Sequence, residues 1–208
     1  MVRVSLDARS PDPDVLRDAA DVLSKGGIVA YPTDTLYGLA VDPRQDEPVE
    51  RLIRAKGRDA GRGIPLIAAS LEQAQEVAVF GPQDLTLARA FWPGPLTLVL
   101  RSRGRVANGI SADGRTIAIR VPAHDVARLL AGSLSFPVTA TSANLSGNPP
   151  ASTADEVAHA LASSIDLLLD AGPAPGGAPS TIVEMATHGP RLVRTGAVAW
   201  DRVIKSLE

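Results

Sequence analysis

Residues 28–38, IVAYPTDTLYG, show in miniature what constrains the whole chain: a short apolar run stops abruptly at a polar segment rich in proline, threonine and glycine. The same break follows the runs at 65–69, 96–100, 117–121, 137–140, 167–170, 181–184 and 191–194, so each is read as a short strand ending in a turn. Helical spacing fills the intervals. Val15, Leu16, Ala19, Val22 and Leu23 share one face between Ser10-Pro11-Asp12-Pro13 and the stop at Gly26-Gly27. Pro48 is expected to open a second helix running to Ala55. Ser70 with Gln73, and Thr153 with Glu156, have capping-box spacing and start two more. Further helices are expected over 82–91, stopped by Pro93-Gly94-Pro95, and over 125–130, and WDRVIKSL reads as a helical tail. This mixture predicts an α/β or α+β single domain over 1–208. The segments 147–152 and 171–180 are rich in Pro and Gly but short, and read as loops.

Only 3% of the residues are aromatic, so Val, Leu, Ile and Ala must fill the core. Both tyrosines, Tyr31 and Tyr37, fall in the one polar segment 31–38. A flat ring with a polar tip suits the wall of a pocket, the role expected of Tyr37, while Tyr31 serves equally well as packing. Gly38 beside them permits close backbone approach. With no cysteine, thiol nucleophiles, disulfides and iron–sulfur ligation are excluded. The three histidines are dispersed without metal-ligand spacing, so no metal site is expected from the protein's own residues. A formal charge of −2 does not point to a strongly basic nucleic-acid binder, although a local basic face is compatible with it. The N-terminal residues lack the apolar run of a signal peptide, and a cytoplasmic location is expected.

Phosphate-loop, dinucleotide-fold and nucleophile-elbow motifs are all absent. What remains is a set of polar loops at strand ends, where ligands gather in open α/β sheets. They are YPTDTLYG, KGRDAGRG (56–63), RVPAH, TSANLSGNPP (141–150), GGAPST (176–181) and RTG (194–196). Together they offer hydroxyls, an amide, guanidinium groups and glycines, which suits a small polar substrate with phosphates. Singly, each is equally an ordinary turn or a solvated basic surface.

At these loops the chain resembles the YrdC-like family of threonylcarbamoyl-AMP synthases, from about residue 19 to 196. The likeness lies in GGIVAYPTDTLYGLAVD, Lys56-x-Arg58, FWPGPLTLVL, IAIRVPAH, TSANLSGNPP, and PSTIV followed by RTG; a K-x-R with a later S-x-N is the family signature. The resemblance implies an open twisted sheet with helices around a large central cavity. It implies condensation of L-threonine, bicarbonate and ATP, with magnesium expected alongside the nucleotide, to threonylcarbamoyl-AMP and pyrophosphate. Partner proteins would then pass the group to tRNA, and contact with tRNA or other double-stranded RNA is also implied. A paralogue that binds RNA without this synthesis is the alternative.

Carried over residue by residue, Thr35 and Ser180 would meet threonine, and Lys56 and Arg58 the ATP phosphates. Thr116 and Arg120 would lie between nucleotide and amino acid, with Arg194 on the nucleotide. The Ala140 backbone, Ser142 and Asn144 would line the shared pocket. Asp34 is a candidate base for the threonine amine, with substrate groups or water as alternatives. Two features depart from the family: Asp59 follows Arg58, and Arg62-Gly63-Ile64 precedes Pro65, so the 57–64 loop is expected to take its own course. Longer relatives carry a further C-terminal domain, and by its length this chain resembles the short form.

Overall fold

The computed structural model describes residues 1–58, 61, 63–104 and 106–208. The departures at Asp59 and Arg62 lie outside these residues.

Two sheets form the scaffold. The first has the order β1-β10-β2-β3-β9, built from β1 (Val2–Ser5), β2 (Val29–Tyr31), β3 (Gly38–Ala40), β9 (Thr141–Ser142) and β10 (Leu167–Asp170). The second has the order β12-β11-β6-β7-β4-β8, with β5 pairing beside β6. Its strands are β4 (Leu66–Ile67), β5 (Ala78–Val79), β6 (Leu96–Ser102), β7 (Thr116–Arg120), β8 (Val138–Thr139), β11 (Thr181–Ala186) and β12 (Gly189–Arg194). Parallel pairs (β1 with β10, β11 with β6) mix with antiparallel ones (β2 with β3, β6 with β7). The fold is therefore a single α/β domain with mixed sheets, as the alternation in the sequence predicts.

The helices form where the caps say they should. In α1 (Pro13–Ser24), Pro13 occupies the first turn, where its missing N–H costs nothing, and the Asp12 side chain accepts from Asp14 N at 2.9 Å. Its apolar face, Leu16, Ala19, Ala20 and Leu23, is buried, and α1 packs against α5 (Asp125–Leu134). The helix ends where Gly26 takes a left-handed φ of 82°. α2 (Asp46–Lys56) opens two residues earlier than Pro48 suggests, because Asp46 and Glu47 favour the first turn and Pro48 still falls among the N–H groups that a helix start leaves unbonded. The Ser70 box is half made: Ser70 Oγ accepts from Gln73 N at the start of α3 (Leu71–Val77), but the Gln73 side chain reaches past to Ala69 N. The Thr153–Glu156 box is complete at α6 (Ala154–Leu161). α4 (Pro82–Phe91) and α7 (Trp200–Lys205) complete the set.

The sheets join where the chain passes from β8 through Ala140 into β9. Thr139, with no exposed surface, stitches the seam. Its hydroxyl accepts from Val41 N at 2.9 Å and donates to Leu39 O at 3.0 Å, while its carbonyl accepts from Tyr31 Oη at 3.0 Å. Tyr31 is thus a packing residue, and the close approach that Gly38 permits is that of the Tyr31 ring, whose Cζ would lie 3.1 Å from a Cβ at that glycine.

Thr139→Val keeps the side-chain shape but removes the hydroxyl that accepts from Val41 N–H and donates to Leu39 C=O. Each loss costs about 1–3 kcal/mol. Urea unfolding is expected to show a destabilisation in that range or above, and an unchanged midpoint would contradict the seam's role.

Candidate functional site

Beside the seam, on one face of the second sheet, lies a hollow of about 570 Å³. That volume is typical of a site for a small ligand or cofactor, about 300–1,000 Å³. The β6, β7 and β11 strands give it a floor of Val99, Ala118 and Ile182, and Val193 of β12 continues the apolar strip. The turn between β2 and β3 closes one end with Thr33, Thr35 and Tyr37, and the seam contributes Ala140 and Ser142. Arg58, Arg120, Arg191 and Arg194 bring four guanidinium groups to this one space, that of Arg191 paired with Glu184, and Thr116 and Ser180 also line it.

Each side chain is held by its neighbours. Thr33 Oγ1 accepts from Thr35 N at 3.1 Å and Leu36 N at 3.2 Å, which folds the turn and sets the Thr35 hydroxyl 3.0 Å from that of Thr33. Tyr37 forms a wall, and its hydroxyl donates to Gly172 O at 2.6 Å; burial pushes the phenol up to about 12, so it stays a neutral donor. The Ser180 hydroxyl lies 2.8 Å from Thr97 Oγ1 and accepts from Arg194 Nη2 at 3.0 Å, and Arg194 also donates to Ser180 O at 2.8 Å. Partial burial, then the charges of Arg120 and Arg58, lower the pKa of Arg194 from its ordinary value. That mutual influence is the electrostatic mark of a cationic hollow.

Arg120 is buried, and its Nη1 donates to Asp34 Oδ1 at 2.7 Å and to Gly94 O at 3.3 Å. Asp34 Oδ2 accepts from Ala123 N at 3.1 Å, so both carboxylate oxygens are engaged. Asp34, the candidate base, is not among the lining residues, and in this geometry it braces Arg120. Arg58 Nη2 donates to Gly63 O at 2.9 Å, and its Nη1 lies 3.4 Å from Thr141 Oγ1.

The two signature pairs divide. Arg58 and Ser142 line the hollow; Lys56 and Asn144 do not. The Lys56 ammonium, on a residue 3% exposed, donates to Ser142 O, to Asn144 O at 2.7 Å and to Asn144 Oδ1 at 3.4 Å. The lysine is therefore turned under the seam, away from the space it was expected to serve. Gly57, left-handed at φ 59°, reverses the chain between Lys56 and Arg58 and sends them to different sides.

Sequence reasoning missed three groups at the rim. Asp113 Oδ1 accepts from Arg115 N and Thr116 N and from the hydroxyls of Ser111 and Thr116, and these bonds hold its carboxyl well below the usual range. Glu184 and Arg191 face each other across the β11–β12 hairpin as an ion pair. The Asp-Gly turn at 113–114 was a legible signal for the first; the ion pair needs the hairpin register. Among the described residues no group of three or more His, Asp or Glu could hold a metal ion, and no helix is long and apolar enough to cross a membrane.

A protein-family model named Sua5_yciO_yrdC and described as "Telomere recombination" matches residues 21–196. The threonylcarbamoyl-AMP synthase of Pyrococcus abyssi is 36% identical over 191 residues, covering 91% of this chain and 56% of that protein. That of Bacillus subtilis is 33% identical over 204 residues, covering 97% of this chain and 59% of that protein. The chain thus spans less than two thirds of the length of these relatives. The solved structure of P. abyssi Sua5 complexed with L-threonine superposes with a TM-score of 0.93 at 33% identity, covering 99% of this chain and 61% of that one.

Two predictions follow from the geometry. A Cβ on Gly196 would overlap the Pro179 carbonyl and the Ser180 backbone, so Gly196→Ala must push the 194–198 segment off β11. It is expected to cost about 1–3 kcal/mol in denaturant unfolding, and unaltered stability would refute the close docking that places Arg194. The second concerns Lys56. Burial, then the charge of Arg58, lower its pKa from 10.5 to about 8. Between those values the unfolded chain binds the proton that the folded chain has lost, so Lys56 makes stability rise with pH across that window. The Tm of the wild type, relative to Lys56→Met, is expected to climb from pH 7.5 to 10; a constant difference would show that the lysine titrates normally.

Proposed function

The chain belongs to the Sua5/YciO/YrdC family, and on that premise we propose that it is an L-threonylcarbamoyladenylate synthase acting as one domain in the cytoplasm. The reading rests on one observation: the guanidinium groups of Arg58, Arg120 and Arg194, with Arg191 held by Glu184 beside them, and the hydroxyls of Thr35, Ser142 and Ser180 converge on one hollow. The synthase relatives and the L-threonine complex of P. abyssi Sua5 support the choice of substrates.

Bicarbonate loses hydroxide to give carbon dioxide; the neutral threonine amine bonds to its carbon, and the amine proton released combines with that hydroxide as water, giving a carbamate. A carbamate oxygen then attacks the α-phosphorus of ATP, and the bond to the bridging oxygen breaks to release pyrophosphate. Negative charge grows on the α-phosphate oxygens and on the leaving group, where fixed cations stabilise it without reorganising. Arg58 and Arg194 are assigned to the phosphates. Arg120, braced by Asp34, is assigned to the junction of carbamate and α-phosphate, with Thr116 beside it. Thr35 and Ser180 are assigned to threonine, the Ala140 backbone and Ser142 to the shared space, and Tyr37 to its wall. Magnesium would arrive with the triphosphate and neutralise part of its charge. The apolar strip of Val99, Ala118, Ile182 and Val193 offers a flat surface for the base. The product would pass to partner proteins that transfer the threonylcarbamoyl group to tRNA.

Pyrophosphate release from ATP, measured with threonine or bicarbonate omitted in turn, tests the reading. Release is expected to collapse in both omissions, and release independent of either would overturn it. Arg58→Ala is expected to lower kcat/KM by about 10²-fold or more while circular dichroism and Tm stay near those of the wild type. Near-normal turnover would remove Arg58 from the phosphate site.

A further inference from the structure

Lys56 and Asn144 belong to the sequence signature, yet neither reaches the hollow. Their hydrogen bonds say what they do instead. All three ammonium protons of Lys56 have acceptors on the 142–144 turn: Ser142 O, Asn144 O and Asn144 Oδ1. The main chain of the same residue grips the turn again, because Lys56 O accepts from Ser146 N at 2.7 Å. Asn144 completes the connection. Its Oδ1 faces the ammonium, while its Nδ2 donates to Leu145 O at 2.8 Å and to Asn148 O at 2.7 Å. One buried cation and one buried amide therefore bind five carbonyl-type oxygens between residues 142 and 148.

We propose that Lys56 and Asn144 are positioning residues: they clamp the 142–148 turn to the end of α2 and thereby set Ser142 and Arg58 against the triphosphate, which neither of them touches. The proposal deepens the synthase reading and rests on it for the identity of the ligand. The geometry of the clamp explains why a side chain with several N–H donors is needed. A phosphate would have to strip the ammonium from Asn144 O and from Ser142 O, of which Ser142 O also accepts from Asn144 N at 3.0 Å, and a residue 3% exposed has no path to it without moving the turn. An apolar side chain of the same length would fill the space but take the ammonium from Asn144 O and leave Ser142 O with the Asn144 N–H as its donor. The clamp sits one residue from each acting group on either side of a reversal. Gly57 separates Lys56 from Arg58, and Ala143, whose N donates to Tyr37 O at 2.9 Å, separates Ser142 from Asn144. A shift of the turn thus carries Ser142 and Arg58 together.

The test compares Lys56→Met, Asn144→Ala and the double variant. Amide hydrogen exchange at Ser146 and Asn148 is expected to speed up by about tenfold or more in each single variant. The drop in kcat is expected to be about 10²-fold in each, as for a small misplacement of acting groups, and no greater in the double variant, because both substitutions break one unit. Dissociation constants for inorganic tripolyphosphate are expected to agree within about fivefold between Lys56→Met and Asn144→Ala, since neither removes a phosphate ligand. A loss of tripolyphosphate affinity confined to Lys56→Met, with exchange at Ser146 and Asn148 unchanged, would make Lys56 a phosphate ligand and overturn the proposal. Multiplicative losses in the double variant would overturn it as well. Should Lys56→Met fail to fold, Asn144→Ala decides alone: unchanged exchange and kcat sink the clamp. Exchange and tripolyphosphate binding need no turnover, so they judge the clamp even if the wild-type chain proves to release no pyrophosphate.

Discussion

Four hydrogen bonds converge on Thr139, a residue with no exposed surface, and the position of the hollow depends on them. Thr139 N donates to Val41 O, its hydroxyl takes Val41 N and gives to Leu39 O, and its carbonyl takes the Tyr31 hydroxyl. Two sheets with different strand orders meet at this short crossing at 139–141, with Ala140 N donating to Pro65 O at 2.7 Å to anchor it beside β4. In a buried, weakly polar setting each such group is costly to leave unpaired, so the crossing has one arrangement. The floor of the hollow comes from one sheet and its end wall from the other. Fixing the seam therefore fixes the distance between the threonines of the β2–β3 turn and the arginines of β7 and β12.

What this rigidity holds in place is unfavourable by itself. Four arginines line one space, Arg191 paired with Glu184, and the pKa of Arg194 is lowered first by burial and then by the charges of Arg120 and Arg58. Arg120 can be buried only because Asp34 compensates it, and Asp34 is itself held by Ala123 N. The positive potential left after Asp34, Asp113 and Glu184 is counted would be relieved by a bound anion. Donors that are already oriented pay no reorganisation as charge develops, which is the physical meaning of preorganisation here. Apolar Val99, Ala118 and Ile182 form the floor behind them, a weakly polar surface against which such interactions are stronger than in water.

Much of this was legible in the residues. The helix starts at Asp12-Pro13 and Thr153 follow from local chemistry, because a cap is satisfied by atoms three residues away at most. The strands at 167–170 and 181–184 follow from apolar runs that need burial whatever their partner. β1, β3 and β9 were not legible, and for a common reason. Thr141-Ser142 pairs as a strand only because β3 offers a ladder to it, and Gly38–Ala40 only because β2 does; neither segment has strand character of its own. Val2–Ser5 likewise pairs at the edge with Leu167–Asp170, a partner more than 160 residues away. The lining residues Thr35, Tyr37, Thr116, Arg120, Ala140, Ser142, Ser180 and Arg194 were named from the sequence by resemblance and loop position, and the fold brings them around one hollow. The direction of Lys56 could not be read, since it is decided by a single left-handed glycine.

That glycine bears on how the signature itself is to be understood. In a strand, residues i and i+2 share a face, so K-x-R and S-x-N read naively as four groups aimed at one ligand. Neither pair keeps that geometry: Lys56 closes a helix before the reversal at Gly57, and Asn144 leaves β9 through the turn after Ala143. Each pair consequently splits into one residue facing the ligand space and one facing the protein. The two that face inward meet each other, ammonium to amide oxygen, while the two that face outward line the same wall. A fixed spacing of two residues is what such an arrangement requires, because a longer gap would let the outward group move independently of the inward one. The signature thus encodes a site together with its support, and a substitution at either layer has to be read by which side of the turn it falls on.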